Sequence, residues 1–287
     1  MTVSDAAKPV SAPRKRVPRT AVVSRTYRTA PDMMRVVFTG DDLRALPPLT
    51  FTDHYIKILF PARGSGYSWP FDPEAIKATE PAELWPVTRT YTIRDLDERT
   101  GEMTVDFVLH GDEGLAGPWA ASASPGDQLG FFGPGGAYVP DPDVDAHLLV
   151  GDEAAIPAIA ATLQQLPPDA RVEVFLEVAG VEHHQPVPTT ARTTIHWVHR
   201  SEQLRGDGPA LAAAVRAGEL PGGRLQAFVH GNAEMVRDLR RYLFVERGLD
   251  RGSVSISGYW RSGHTEDRWQ ATKGEFNRQM ELEESLR

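Results

Sequence analysis

A chain of 287 residues with 41% hydrophobic content and a formal net charge of -8 is long enough for two domains and too acidic for a general nucleic-acid binder. No apolar run reaches membrane-spanning length, so no integral membrane segment is expected. The absence of cysteine excludes a disulfide framework, a thiolate zinc site and a cysteine-ligated iron–sulfur cluster, and a cytoplasmic protein is the simplest reading.

The opening KPVSAPRKRVPRT is basic and proline-rich without apolar periodicity, so residues 1–16 read as a disordered tail. No hydrophobic stretch follows it, as a secretory signal would require. Residues 17–140 read as short strands between turns. VPRTAVVSRTYRT and MMRVVFTG form an antiparallel pair around Ala30, Pro31 and Asp32. DHYIKILFP alternates as a half-buried strand does. Residues 62–86 are a long excursion rich in Gly, Pro, Trp and Glu. RTYTIRDLD, EMTVDFVLH and DQLGFFGPGG complete about six strands, a set that fits a small antiparallel barrel closed on itself.

Over 145–262 the rhythm becomes strand then helix. HLLVGDE runs into EAAIPAIAATLQQL, whose Ile156, Ile159, Ala160 and Leu163 share one helical face. RVEVFLEVA, TTIHWVHR, RLQAFVHG and VSISGYW alternate with helical GPALAAAVRAGEL and NAEMVRDLRRYLFVERGL, which implies an open parallel sheet with crossovers on its faces. Residues 263–287 place Trp269, Phe276 and Met280 at helical spacing, an amphipathic helix folded back on the body. The expected class is therefore an antiparallel barrel followed by an α/β domain.

Chemistry concentrates in VTRTYTIRDLD. Alternation points Arg89, Tyr91 and Ile93 one way and Thr90, Thr92 and Arg94 the other, unless a bulge intervenes. Guanidinium forks, a flat ring and a hydroxyl match the phosphate, ring and ring nitrogens of a flavin nucleotide. The same residues also suit an edge strand that faces water. Downstream, Gly111, Gly114 and Gly117 precede a short helix carrying Trp119, a corner whose free backbone N–H groups can approach a pyrophosphate; ordinary turns use the same residues. In the second half, Gly151, Asp152 and Glu153 stand at the carboxyl end of a strand, where open α/β sheets bind ligands, although Asp152 and Glu153 also serve as a plain helix start. His183 and His184 sit in a turn, and His196 and His199 point to opposite faces of a strand. Neither pair has a third ligand fixed by spacing, so no protein-bound metal is expected.

Taken in order, RTYTIR, DFVLHGDEGLAGPWA, GDEAAIPAIAATLQQLP and RRYLFVERGLDRGSVSISGYWRSG resemble the siderophore-interacting protein family of ferric-siderophore reductases, from about Arg19 to Trp269. The resemblance implies an FAD-binding barrel before a pyridine-nucleotide-type domain. Residue by residue, it implies that Arg89 contacts the FAD phosphates, Tyr91 stacks on the isoalloxazine and Thr92 bonds near its reactive nitrogen, with Tyr91 and Thr92 closest to the chemistry. Ile93, Arg94 and His110 would line the flavin, Asp106 to Leu109, including Val108, would offer backbone contacts, and Gly117, Pro118, Trp119 and Ala120 would hold the pyrophosphate. Trp260 is a candidate to cover the flavin or adenine, or to close the domain core. Where many relatives carry Ala-Gly-Glu before the late helix, this chain has HGNAE, His230 to Glu234, which leaves the donor open among NADPH, NADH and a reduced ferredoxin.

The substrate implied is an anionic ferric siderophore, which needs cations near the flavin edge; Lys57, Arg94 and Arg261 are the candidates, each with a solvated-charge alternative. The expected activity is FAD-dependent reduction of the chelate to release Fe(II). The alternatives are a flavin-free siderophore-binding protein and a flavin reductase with another acceptor.

Overall fold

The computed structural model describes residues 17–111, 114–200 and 209–285; the basic tail, residues 1–16, lies outside them. Strands β1 (Arg19–Ala30) and β2 (Met33–Thr39), short helix α1 (Asp41–Arg44), β3 (Tyr55–Phe60), helix α2 (Pro73–Thr79), β4 (Val87–Asp97), β5 (Glu102–Val108), α3 (Ala116–Ser122) and β6 (Gln128–Gly135) make the first half. Its strands close into a barrel in the order β1-β2-β5-β4-β3-β6, antiparallel throughout, which leaves no open edge. Alternate residues such as Val36, Phe38, Ile56, Ile58, Val105, Phe107 and Phe131 point inward and form one apolar core.

The excursion between β3 and β4 is packed against the barrel. Tyr67 donates to the Leu84 carbonyl at 2.7 Å, and Trp69 lies so close over Gly130 that a Cβ there would meet its ring at 2.1 Å. Arg63 donates to the Gly114 carbonyl at 2.9 Å, which ties the excursion to the glycine corner before α3.

The second half runs β7 (Ala146–Asp152), α4 (Ile156–Gln165), β8 (Arg171–Val178), β9 (Arg192–His199), α5 (Pro209–Ala217), β10 (Leu225–Asn232), α6 (Ala233–Arg241), β11 (Val254–Trp260) and α7 (Glu266–Ser285). The parallel sheet has the order β11-β10-β7-β8-β9, with the chain reversing direction of build at β7. The expected fold class is the one observed. Ile156, Ile159 and Leu163 are buried against the sheet, as their spacing required, and Ala160 is buried too. Gly151 is needed where α4 approaches, since a Cβ there would meet Ala155 Cβ at 2.4 Å.

The halves meet along β4 and α4. After Tyr91 the strict alternation breaks: Thr92, Ile93 and Arg94 are buried in succession, with a register shift between Ile93 and Asp95. Arg94 donates to Gln164 Oε1 on α4 at 3.0 Å, and Thr162 of α4 donates to Thr52 at 2.8 Å. Helix α7 buries Trp269, Phe276 and Met280 with Ala233. Ion pairs Arg237–Glu283 and Arg240–Glu284 fasten its far end to α6. Among the described residues, no helix is long and apolar enough to cross a membrane.

Candidate flavin and chelate site

The site is built on β4 and closed from above by the start of α7. Arg89 and Tyr91 share a face of β4, while Thr90 on the opposite face is exposed and pairs with Lys57 of β3. The Tyr91 ring lies 4.4 Å from Phe107, tilted by 34°, and packs at the margin of the barrel core. Burial raises its phenol pKa, with the Glu266 charge as a smaller cause, so the hydroxyl stays protonated at any working pH. Thr92 neighbours the Tyr259 side chain at the end of β11. Arg89 meets Asp267 of α7 through a two-pronged contact at 2.8 and 2.9 Å.

Below this, the corner before α3 offers backbone. Helix α3 starts at Leu115 without a side-chain cap, so its first N–H groups are left for other acceptors. Gly117 places α3 against β5, where a Cβ would make ordinary contact with the Val108 carbonyl at 3.4 Å. Ala120 is fully buried, and Trp119 turns inward against Phe38, Phe60 and Phe107. Trp119 thus plugs the barrel end, and the backbone around Gly117 and Pro118 is what faces outward. Asp106 is 4% exposed and gripped by Arg35 at 2.6 and 2.7 Å, so its side chain braces β5 against β2. His110 is exposed just past the end of β5; partial desolvation lowers its pKa, with Asp32 and Arg200 as charged neighbours. These groups fit FAD by the chemistry of the donor set: a guanidinium fork, uncapped amides, a flat ring backed by the core and a threonine hydroxyl.

At the carboxyl end of the parallel sheet the residues bond to one another. Asp152 is 2% exposed and accepts from Trp260 Nε1 at 2.7 Å, Asn232 N at 2.8 Å and Ala154 N at 3.0 Å. Gly231 has φ +136°, and a Cβ would stand 2.6 Å from Asp152 Oδ2, so glycine permits this turn. Glu153 pairs with Arg200, which also donates to Glu177 at 3.0 Å. Burial pushes the Glu153 pKa up to about 7 against the pull of Arg200, and its Oε1 has no hydrogen-bond partner. The HGNAE run is likewise used locally. His230 stacks on Phe228 at 3.8 Å and burial lowers its pKa to about 3, while Asn232 caps α6 by accepting from Glu234 N and Met235 N.

The three cations proposed for the chelate separate. Arg94 is 5% exposed and faces α4, and Arg261 is paired with Glu234 at 2.7 Å and lies over the Phe276 ring. Lys57 remains on β3, and a lysine that sequence spacing did not single out, Lys273 of α7, donates to Ser257 at 3.0 Å. Burial is the main cause lowering the Lys273 pKa; Glu266 opposes this, and the Lys57 charge adds to it. A signal was present: Glu266 and Lys273 fall in register with Trp269, Phe276 and Met280, so two charged residues lie on the buried stripe of α7. The histidines also regroup, for His184 Nε2 stands 2.8 Å from His199 Nε2, a long-range pairing that local spacing does not encode. Among the described residues, no group of three or more His, Cys, Asp or Glu side chains could hold a metal ion.

Comparison with known proteins agrees with this architecture. Residues 22–138 match the model of the siderophore-interacting FAD-binding domain, and residues 144–263 match that of the siderophore-interacting protein. The chain is 42% identical over 266 residues to the uncharacterized protein Rv2895c of Mycobacterium tuberculosis, covering 88% of this chain and 94% of that one. It is 35% identical over 255 residues to ferric vibriobactin reductase ViuB of Vibrio cholerae, covering 87% and 92%. Among solved structures, a siderophore utilization protein from T. fusca superposes with a TM-score of 0.76 at 34% identity, covering 87% of this chain and 95% of that one.

Proposed function

The chain belongs to the siderophore-interacting protein family, and from that premise we propose that it is an FAD-dependent oxidoreductase that reduces ferric siderophores and releases iron as Fe(II). The observation that carries this reading is one juxtaposition: Arg89, Tyr91 and Thr92 stand on β4, and Lys57 stands on the neighbouring strand β3 in register with Thr90. A flavin-type strand next to an anion-attracting edge is what reduction of an anionic chelate needs. Similarity to a protein named ferric vibriobactin reductase supports the same reaction class.

In this reading the barrel unit, residues 17–140, holds FAD and the α/β unit, residues 145–262, receives the electron donor. Arg89 binds phosphate, the uncapped start of α3 and the backbone at Gly117 support the pyrophosphate, Tyr91 offers its ring, and Thr92 bonds a ring nitrogen. Bound FAD supplies two-electron acceptance from a donor and one-electron delivery to Fe(III). Lys57 and Lys273 draw in the chelate and hold it at the flavin edge. Oxygen ligands that suit Fe(III) hold Fe(II) less tightly, so reduction lets the metal go. No side chain is required to act as nucleophile, and the chelate brings its own iron.

The donor is proposed to be a nicotinamide nucleotide, NADPH or NADH, docking at the carboxyl end of β7, with reduced ferredoxin as the alternative. A relative from Escherichia coli, 28% identical over 249 residues, is named an NADPH-dependent ferric-chelate reductase. The cytoplasm is the proposed location, since the donors are found there. The test is the absorption spectrum of purified protein incubated with FAD and then, without oxygen, with each donor in turn. A flavin spectrum that bleaches with one donor supports the reading. Protein that stays colourless after FAD would leave the flavin-free siderophore-binding alternative.

A further inference from the structure

Arg89 already has an anion on its fork. Its Nη1 and Nη2 donate in parallel to the two oxygens of Asp267 at 2.8 and 2.9 Å, and Nη1 also donates to the Thr88 carbonyl at 2.9 Å. This is the geometry in which a guanidinium grips a carboxylate or a phosphate, and one fork cannot grip both. The Arg89 side chain is 14% exposed and that of Asp267 69%, so the carboxylate stands on the solvent side of the cation. Glu266, the preceding residue, adds a second carboxylate close enough to act on both Arg89 and Tyr91.

The rest of α7 is not free to move away with Asp267. Trp269, Phe276 and Met280 are buried, Lys273 is tied to Ser257, and the far end is paired to α6. Thr265 accepts from Arg268 N at 3.3 Å and gives its carbonyl to Trp269 N at 2.9 Å, so the helix start is fixed as well. What can turn away is the exposed Asp267 side chain alone. An acid in the first turn is favourable to any helix, but that effect needs no partner on β4.

We infer that Asp267 is an internal competitor for the cofactor phosphate, and that it sets how strongly the protein prefers a phosphorylated flavin over an unphosphorylated one. It rests on the flavin reading above. The phosphate takes the Arg89 fork as Asp267 rotates into water, and the free energy of the Arg89–Asp267 pair is subtracted from that of phosphate binding. A flavin without phosphate makes no demand on the fork and leaves the pair closed.

The experiment is a set of equilibrium titrations followed by flavin fluorescence, with FAD and riboflavin as the two probes. The proteins are the full chain, Asp267→Asn, Arg89→Gln and the double variant, each checked for an unchanged circular dichroism melt. Asp267→Asn is expected to tighten FAD by about two- to fivefold, the range of a partly exposed ion pair, and to leave riboflavin unchanged. Arg89→Gln is expected to weaken FAD, and on that background Asp267→Asn should give no further gain. FAD binding to Asp267→Asn that equals or falls below that of the unaltered chain overturns the competition, because Asp267 would then be organising Arg89 for the phosphate. An equal gain for riboflavin overturns it too. Failure of every protein to bind either flavin would instead remove the flavin site itself, a result unlike tight binding that the substitution leaves untouched.

Discussion

Tyr91 rests its ring on Phe107 at 4.4 Å, and Phe107 is wholly buried in the barrel core. The aromatic proposed to meet the flavin is thus set in place by β5, which pairs with β4 on one side and with β2 on the other. A stacking surface fixed by the core loses little freedom when a ligand arrives.

Replacing Tyr91 with Ala removes that surface and the contact beneath it. FAD affinity is expected to fall by tenfold or more, taking about 1.4 kcal/mol as the least that stacking contributes. The barrel itself should survive with a loss of about 1–3 kcal/mol. Fluorescence titration and a denaturant melt read the two effects separately, and unchanged affinity would take Tyr91 out of the site.

Lys57 and Lys273 should act on the chelate and leave the flavin alone. Lys273→Met keeps an apolar stem on the buried face of α7 while removing the charge. The apparent KM for an anionic ferric chelate is expected to rise several-fold, with FAD affinity and the rate of flavin reduction by donor little changed. Raising the salt concentration should weaken the unaltered protein more than the variant. A fall in FAD affinity instead would place Lys273 in the cofactor site.

Glu153 makes stability depend on pH. Its folded pKa of about 7 lies above the ordinary 4.5, so the folded state holds a proton that the unfolded chain has released. The contribution is complete below pH 4.5 and is lost as pH rises through 7. Glu153→Gln, which cannot ionise, should therefore gain on the unaltered protein between pH 5 and pH 8, by up to about 3 kcal/mol. Thermal melts across that range check it. A gain for the unaltered protein with rising pH would mean that the Arg200 pair outweighs burial.

Trp269 anchors α7 at 1% exposure, against Phe276 and beneath Gly258, where a Cβ would meet its ring at 3.0 Å. Trp269→Ala should cost about 3–5 kcal/mol and expose α7 to protease. Removal of that helix also takes Glu266, Asp267 and Lys273 from β4, so chelate binding should weaken with it.

The fold was legible because its periodicities are strong. Strands that alternate around Ile56 and Phe107 and helices with Ile156 to Leu163 on one face leave little choice of layers. The local half of the candidate site was legible too, since Arg89, Tyr91 and Thr92 share one strand. What the sequence hid is long-range. Asp267 lies 178 residues from Arg89, and His184 and His199 meet only because a turn folds back on β9. Arg94 shows a different limit: the irregularity after Ile93 turns a residue of the flavin strand into a contact with α4. Asp152 shows a third, for a strand-end carboxylate reads alike whether it awaits a ligand or, as here, accepts from Trp260 and two backbone amides.

Electron delivery from FAD on this chain to chelated iron is the reaction proposed. It is tested most directly by reducing the FAD-loaded protein without oxygen, adding a ferric siderophore, and following flavin absorbance together with a colorimetric Fe(II) trap. The chelate is expected to reoxidise the flavin much faster than buffer alone does, with Fe(II) appearing in step. Flavin that stays reduced in the presence of ferric siderophore, at the rate seen in buffer, would contradict it.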